Sequence, residues 1–140
     1  MNMSANKILP GLGVHHLALR SSDFTRTLAF YEALGCRVVA AWNEAPKRIA
    51  MLDLGDDCRV EVFEGATEGK RDITGSAGEW FHFALRVDDP DLAYATAIAA
   101  GATSITAPKD VTLNSDPVMY VRLAFVAGPD GEVLEFFRQK

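Results

Sequence analysis

Cysteine is scarce in this sequence: Cys36 and Cys58 stand alone, in no Cys-x-x-Cys pair and no disulfide framework. Two such thiols exclude a cysteine-built metal knot or a stapled scaffold, and they read as reduced, partly buried side chains without a functional role. Positive charge is also short, with 14 Lys and Arg against 19 Asp and Glu and a formal net charge of -5. Broad binding to nucleic acid or to an anionic membrane would want a basic surface, so both are disfavoured as partners. Long apolar runs are missing as well. No stretch nears the roughly 20 residues that cross a bilayer, and the start at Met1–Lys7 has no apolar signal-peptide core. The expectation is a cytoplasmic protein acting on a small molecule.

Histidine is scarce too, with three in 140 residues, yet two of them open matching segments. His16-Leu-Ala-Leu-Arg20 is followed by Ser-Ser-Asp23, and His82-Phe-Ala-Leu-Arg86 by Val-Asp-Asp89. Each copy is answered further on by a strand with one glutamate among apolar residues, Val60-Glu61-Val62-Phe63 and Leu134-Glu135-Phe136-Phe137. The histidines lie 66 residues apart and the glutamates 74, alike except for extra loop in the second half. Imidazole nitrogen and carboxylate oxygen are donors that borderline divalent cations accept, and a tandem repeat can bring two such pairs around one point. The repeat therefore points to a metal site.

The chain falls within the size of one domain, spanning 1–140, while each half is too small to bury a good core alone. Module one, about 12–64, starts with a strand near Val14 to Arg20. Asp23 then caps a helix whose buried stripe is Phe24, Leu28, Tyr31 and Leu34, ended by Gly35. Strands over Arg37 to Trp42, Arg48 to Leu54 and Arg59 to Phe63 follow, with Gly55-Asp56-Asp57 as a hairpin turn. The order is βαβββ. Residues 65–78, rich in Gly, Thr, Ser and charge, read as a linker. Module two, about 79–138, repeats the order: a strand from Phe81 to Val87, a helix from Pro90 to Ala100 capped by Asp89, and strands at Ser104 to Ala107, Met119 to Ala127 and Val133 to Phe137. Pro108 to Pro117 reads as a longer loop suited to a substrate contact. The fold class is α+β.

Side chains alternate along a strand, so His16, Ala18 and Arg20 share one face and Leu17 and Leu19 the other, with the same division in the second copy. By the same parity Glu61 and Glu135 point away from their apolar neighbours. A carboxylate inside an apolar strand needs a partner, because burying it alone costs several kcal/mol or forces a proton onto it. A cation would serve. The ordinary alternatives are a hydrogen-bonded strand histidine and a glutamate facing water; four matching positions weigh against both. Trp42, Trp80, Phe63, Phe125 and Tyr120 are candidates to line a pocket, or simply to pack the core.

From Val14 to Arg138 the sequence resembles the vicinal oxygen chelate superfamily of glyoxalases, fosfomycin-resistance proteins, epimerases and ring-cleaving dioxygenases. The resemblance is carried by the His16 strand, by Phe30-Tyr31-Glu32-Ala33-Leu34-Gly35 and by Gly128-Pro129-Asp130-Gly131-Glu132-Val133-Leu134-Glu135. It implies two tandem βαβββ modules forming a cupped, mixed β-sheet around a divalent metal, with His16, Glu61, His82 and Glu135 as ligands. Two His with two Glu is the glyoxalase I-like set, and Zn or Ni is the metal expected, with Co, Mn and Fe as other fits. The implied activity is that of a lyase or isomerase: vicinal oxygens of a small substrate are chelated and a proton moves through an enediolate-like intermediate, with Glu135 or Glu61 as the proton carrier. Arg20 falls where glyoxalase I enzymes hold substrate, and Arg122, next to Leu123-Ala124-Phe125, is a second candidate substrate contact. The resemblance also implies a homodimer, with the site formed inside one chain or across two. Other functions in the family are metal-free binding of drugs or aromatic ligands, as in bleomycin resistance, and Fe(II) dioxygenase chemistry.

Overall fold

The computed structural model describes residues 6–10, 14–44, 47–67, 75, 77–78 and 80–140. In it Asp23 and Asp89 open two ten-residue helices in the same way. Each cap residue is extended, and its carboxylate accepts from the backbone N–H three residues on, Arg26 at 3.0 Å and Leu92 at 3.1 Å. The helices are α1, Phe24–Ala33, and α2, Pro90–Ala99. Strands β1 (His16–Arg20), β2 (Arg37–Trp42), β3 (Ile49–Gly55) and β4 (Cys58–Phe63) complete the first module, and β5 (Phe83–Arg86), β6 (Thr103–Leu113), β7 (Met119–Ala127) and β8 (Val133–Gln139) the second. The doubled βαβββ order agrees with the sequence reading.

Each module folds its own four-stranded mixed sheet, in the orders β1-β4-β3-β2 and β5-β8-β7-β6, with one parallel pair joining the first strand to the last. The registers match across the repeat: Ala18 stands beside Glu61, and Ala84 beside Glu135. The hairpin at Asp56 and Asp57 is a tight one, both residues having φ 57, a left-handed conformation that Asp tolerates better than most side chains.

Three details depart from the sequence reading. His82 lies just before β5, which begins at Phe83 rather than Phe81. The loop expected from Pro108 starts only after Leu113, because β6 runs on through the proline; register shifts between Ser104 and Lys109 make the bulge that accommodates a residue without an N–H. The linker expected at 65–78 lies largely outside the described residues.

One face of each sheet packs on the helices and builds a common core. Phe24, Phe30, Leu52 and Val62 of the first module join Ala97, Ala124, Val126, Leu134 and Phe136 of the second in a single cluster. Polar contacts lock the halves together where the β7–β8 turn meets the start of α1. The Ser22 N–H donates to Asp130 Oδ2 at 3.1 Å, and the Ser22 hydroxyl donates to Asp130 Oδ1. The Tyr31 hydroxyl donates to Glu132 Oε2 at 2.7 Å, and the Asp130 N–H to Glu132 Oε1 at 2.8 Å. Burial and the neighbouring Glu132 carboxylate push the Tyr31 phenol well above its ordinary pKa, so it stays a donor. The opposite face of the first sheet is left open, with His16, Ala18 and Arg20 all exposed.

Candidate functional site

Strand parity places each expected histidine next to its expected glutamate. His16 Nε2 stands 3.5 Å from Glu61 Oε1, and His82 Nε2 stands 3.3 Å from Glu135 Oε1. Both separations are wider than the ~2.7–2.9 Å of a charge-assisted hydrogen bond. They are close to the ~3.0–3.4 Å between neighbouring donors that each sit ~2.1 Å from a shared ion. Nitrogen and carboxylate oxygen held so, near each other but not bonded, suit a divalent cation in chemistry and in spacing.

The two pairs remain two pairs. Each belongs to its own sheet, and among the described residues no three His, Cys, Asp or Glu side chains gather into one metal-binding cluster. A single copy of the chain thus presents two separate His–Glu pairs.

The surroundings differ. The His82–Glu135 pair is the more enclosed, with the Glu135 side chain 10% exposed against 16% for Glu61. Burial raises the Glu135 carboxyl above the usual carboxylate range, and the His82 ring beside it partly offsets that shift. The His82 ring is also wedged edge-on between Phe81 and Phe125, with centroids at 4.8 and 5.7 Å. His16 is oriented instead by the third histidine, His15, whose Nδ1 lies 2.9 Å from His16 Nδ1. One of those nitrogens carries the shared proton, and whichever ring donates, His16 Nε2 is left facing Glu61. The sequence signal for this was the His15-His16 doublet, which the strand pattern alone did not single out.

Arg20 is exposed on the His16 face, two positions beyond Ala18. Arg122 stands elsewhere. Its β7 position pairs with Arg138, three residues along from Glu135 and so of opposite parity, and it projects on the α2 side. There its guanidinium donates to Asp91 at 2.6 and 2.8 Å and to Asp110 at 3.2 Å, tying α2 and β6 to β7. The structure does not bring Arg122 to the His–Glu pairs, and its opposite strand parity is the physical reason. Trp80, Phe81, Tyr120 and Trp42 are exposed, leaving large apolar rings uncovered in the single chain.

Residues 13–136 match the model of the Glyoxalase/Bleomycin resistance protein/Dioxygenase superfamily. The chain belongs to that superfamily. Solved structures agree in fold. SMU.1112c superposes with TM-score 0.73 at 25% identity, covering 91% of this chain and 99% of its own. TnmS3, an antibiotic binding protein from Streptomyces sp. CB03234, gives 0.66 at 21% identity over 92% and 97%. A glyoxalase I mutant from Zea mays gives 0.68 at 23% identity over 89% of this chain, which spans 44% of that longer one. Among curated proteins none matches the chain in sequence. Superfamily members bind small molecules in such cupped folds, some as enzymes and some as binding proteins, and no described helix is long and apolar enough to cross a membrane.

Proposed function

We propose that this superfamily member is a metal-dependent lyase or isomerase of the glyoxalase type, working as a homodimer in which His16 and Glu61 of one copy face His82 and Glu135 of the other. The observation that carries the reading is the pair of matched His–Glu contacts at 3.5 and 3.3 Å, each a half-set of donors on its own sheet. Exposed Trp42, Trp80, Phe81 and Tyr120 supply apolar surface for a second copy to cover. A divalent ion held by the four residues, Zn or Ni by preference and Co, Mn or Fe by donor type, supplies Lewis acidity toward two adjacent substrate oxygens.

The chain's own groups then divide the work. His16 and His82 are fixed in orientation by His15 and by the Phe81 and Phe125 rings. Glu135, enclosed and short of solvent, moves the proton at the carbon beside the substrate carbonyl, and Glu61 is the second candidate for that step. Arg20 holds an anionic part of the substrate from the open face.

Mixing two inactive variants tests this. His16→Ala and His82→Ala each lose metal and activity, but a mixed dimer of the two regains one intact site, because both lesions fall together in the other. Metal content of protein purified without chelator, and turnover of methylglyoxal with several thiols, are the readouts. Full activity in either single variant would end the proposal; no recovery on mixing would move the site inside one chain. A second reading, a metal-free binder of aromatic ligands, is favoured by the edge-on rings around His82 and by exposed Trp80. It predicts tight ligand binding that survives His16→Ala and chelator alike.

A further inference from the structure

The two places where one module's turn meets the other module's helix are related by the repeat, yet they are filled differently. At the first, Tyr31 and Glu132 meet in a buried hydrogen bond and Ser22 holds Asp130. Counting along the repeat, Ala97 stands where Tyr31 does, Thr96 where Phe30 does, Cys58 where Glu132 does and Asp88 where Ser22 does. Tyr31, Phe30 and Glu132 thus have smaller counterparts, while Ser22 has a larger, charged one. The second junction accordingly holds a cavity of about 620 Å³, bounded by Cys58 and Leu54 from the first module and by Leu85, Leu92, Thr96 and Asp88 from the second. That volume is within the ~300–1,000 Å³ of ordinary small-molecule sites.

We propose that this cavity is a ligand site separate from the His–Glu pairs, and that it takes a small amine with an apolar body. The first junction shows what such a space accepts: an aromatic ring whose polar end is met by a carboxylate. At the second, Ala97 replaces the ring and Cys58 replaces the carboxylate that met it, and three aspartates stand along the space instead. Asp56, Asp88 and Asp89 line the cavity against one cation, Arg86. Arg86 is taken by Asp56 at 2.6 Å, and Asp89 is engaged in capping α2. Asp88 is exposed at the edge of the cavity and has no hydrogen-bond or ion-pair partner among the described residues, so its charge is available to an ammonium group. The positive end of α2 is already offset by its own Asp89 cap. The apolar wall includes Cys36, whose thiol burial pushes up to about 11, so it enters as a neutral group and not as a nucleophile.

Three probes with one body and different heads test the assignment: 4-phenylbutylamine, 4-phenylbutanol and 4-phenylbutyrate, each titrated into the full chain by calorimetry and by amide chemical-shift mapping. The amine should bind about tenfold tighter than the alcohol, and the carboxylate weakest. It should shift the amides around Cys58, Leu85 and Asp88, and slow the reaction of Cys58 with an aromatic disulfide. Asp88→Asn should bring the amine down to the alcohol's affinity without changing thermal stability, while Cys58→Phe should abolish binding of all three. His16→Ala should leave amine binding unchanged whether or not the proposed metal chemistry holds, which separates the two ideas. Equal affinity for the three heads would overturn the charge argument, and shifts confined to the His–Glu strands would overturn the location. Thiol protection that grows with protein concentration, with no amine effect, would show a second copy of the chain in the cavity and also overturn the proposal.

Discussion

Asp23, His16 and Glu61 in the first module stand where Asp89, His82 and Glu135 stand in the second, with the same cap geometry and nearly the same His–Glu separation. At the junctions the match fails: Tyr31 and Glu132 are hydrogen-bonded to each other at one, whereas Thr96 and Cys58 border the larger cavity at the other. The comparison teaches that the repeat is kept where a strand face presents donors and lost where the halves grip each other. The donor faces are set by local period-2 parity, which two similar sequences reproduce independently. The grip depends on side chains meeting across the modules, where one copy can be filled by a large pair and the other by a small one.

If the halves are joined by one core, damage on either side should be felt by both. Leu52 in β3 and Leu134 in β8 are buried to 0% and 2% exposure in the same cluster. Leu52→Ala and Leu134→Ala are each expected to lower stability by about 2–5 kcal/mol, the range for deleting a core leucine, within a single unfolding transition. Chemical denaturation followed by both fluorescence and far-ultraviolet dichroism checks this. Two separated transitions would show that the modules fold apart and that the junctions do little.

The junctions themselves should respond unequally. A Cβ added at Gly128 would meet the Glu132 carboxyl at 2.5–2.8 Å, and that group is pinned by Tyr31 and by the Asp130 N–H. Gly128→Ala should therefore eject Glu132, leave the buried Tyr31 hydroxyl unpaired and cost about 1–3 kcal/mol. Tyr31→Phe, which strands the carboxylate instead, should cost a similar amount. Cys58→Ala at the other junction removes a group that borders a cavity and should cost less than either. Equal losses at both junctions would contradict the difference drawn between them.

Much of this architecture can be seen in the residues. Asp23 and Asp89 signalled helix starts, Gly35 a stop, and alternation along His16–Arg20 and Val60–Phe63 told which residues would share a face, because caps and strand parity are local. Pro108 misled for an equally local reason: it signalled a break, while the bulge before Lys109 let β6 continue. The Tyr31–Glu132 bond joins residues 101 apart and has no short-range signature, so Glu132 looked like part of a turn motif and nothing more. The same limit applied to the donors. Parity could pair His16 with Glu61 and His82 with Glu135, but their division between two sheets is set by how whole modules pack.

Arg122 offers the mildest test, since it asks whether a residue on the opposite strand face from the His–Glu pairs has become purely structural. Its guanidinium holds the Asp91 carboxyl below the usual carboxylate range, and Lys140 followed by Arg122 does the same for Asp110. Groups depressed in the folded state stabilise it above their unfolded pKa, and that contribution is lost as pH falls through the folded value. Arg122→Ala should let Asp91 titrate nearer its ordinary range, with a smaller shift at Asp110 because Lys140 remains at 2.8 Å. It should also flatten the acid limb of the stability curve, while metal content and turnover stay as in the unaltered chain. Carboxyl-detected titration by nuclear magnetic resonance reads the first effect and acid unfolding the second. A large loss of substrate affinity with the acid limb unchanged would return Arg122 to the binding site, and would mean that β7 presents both of its faces to ligand.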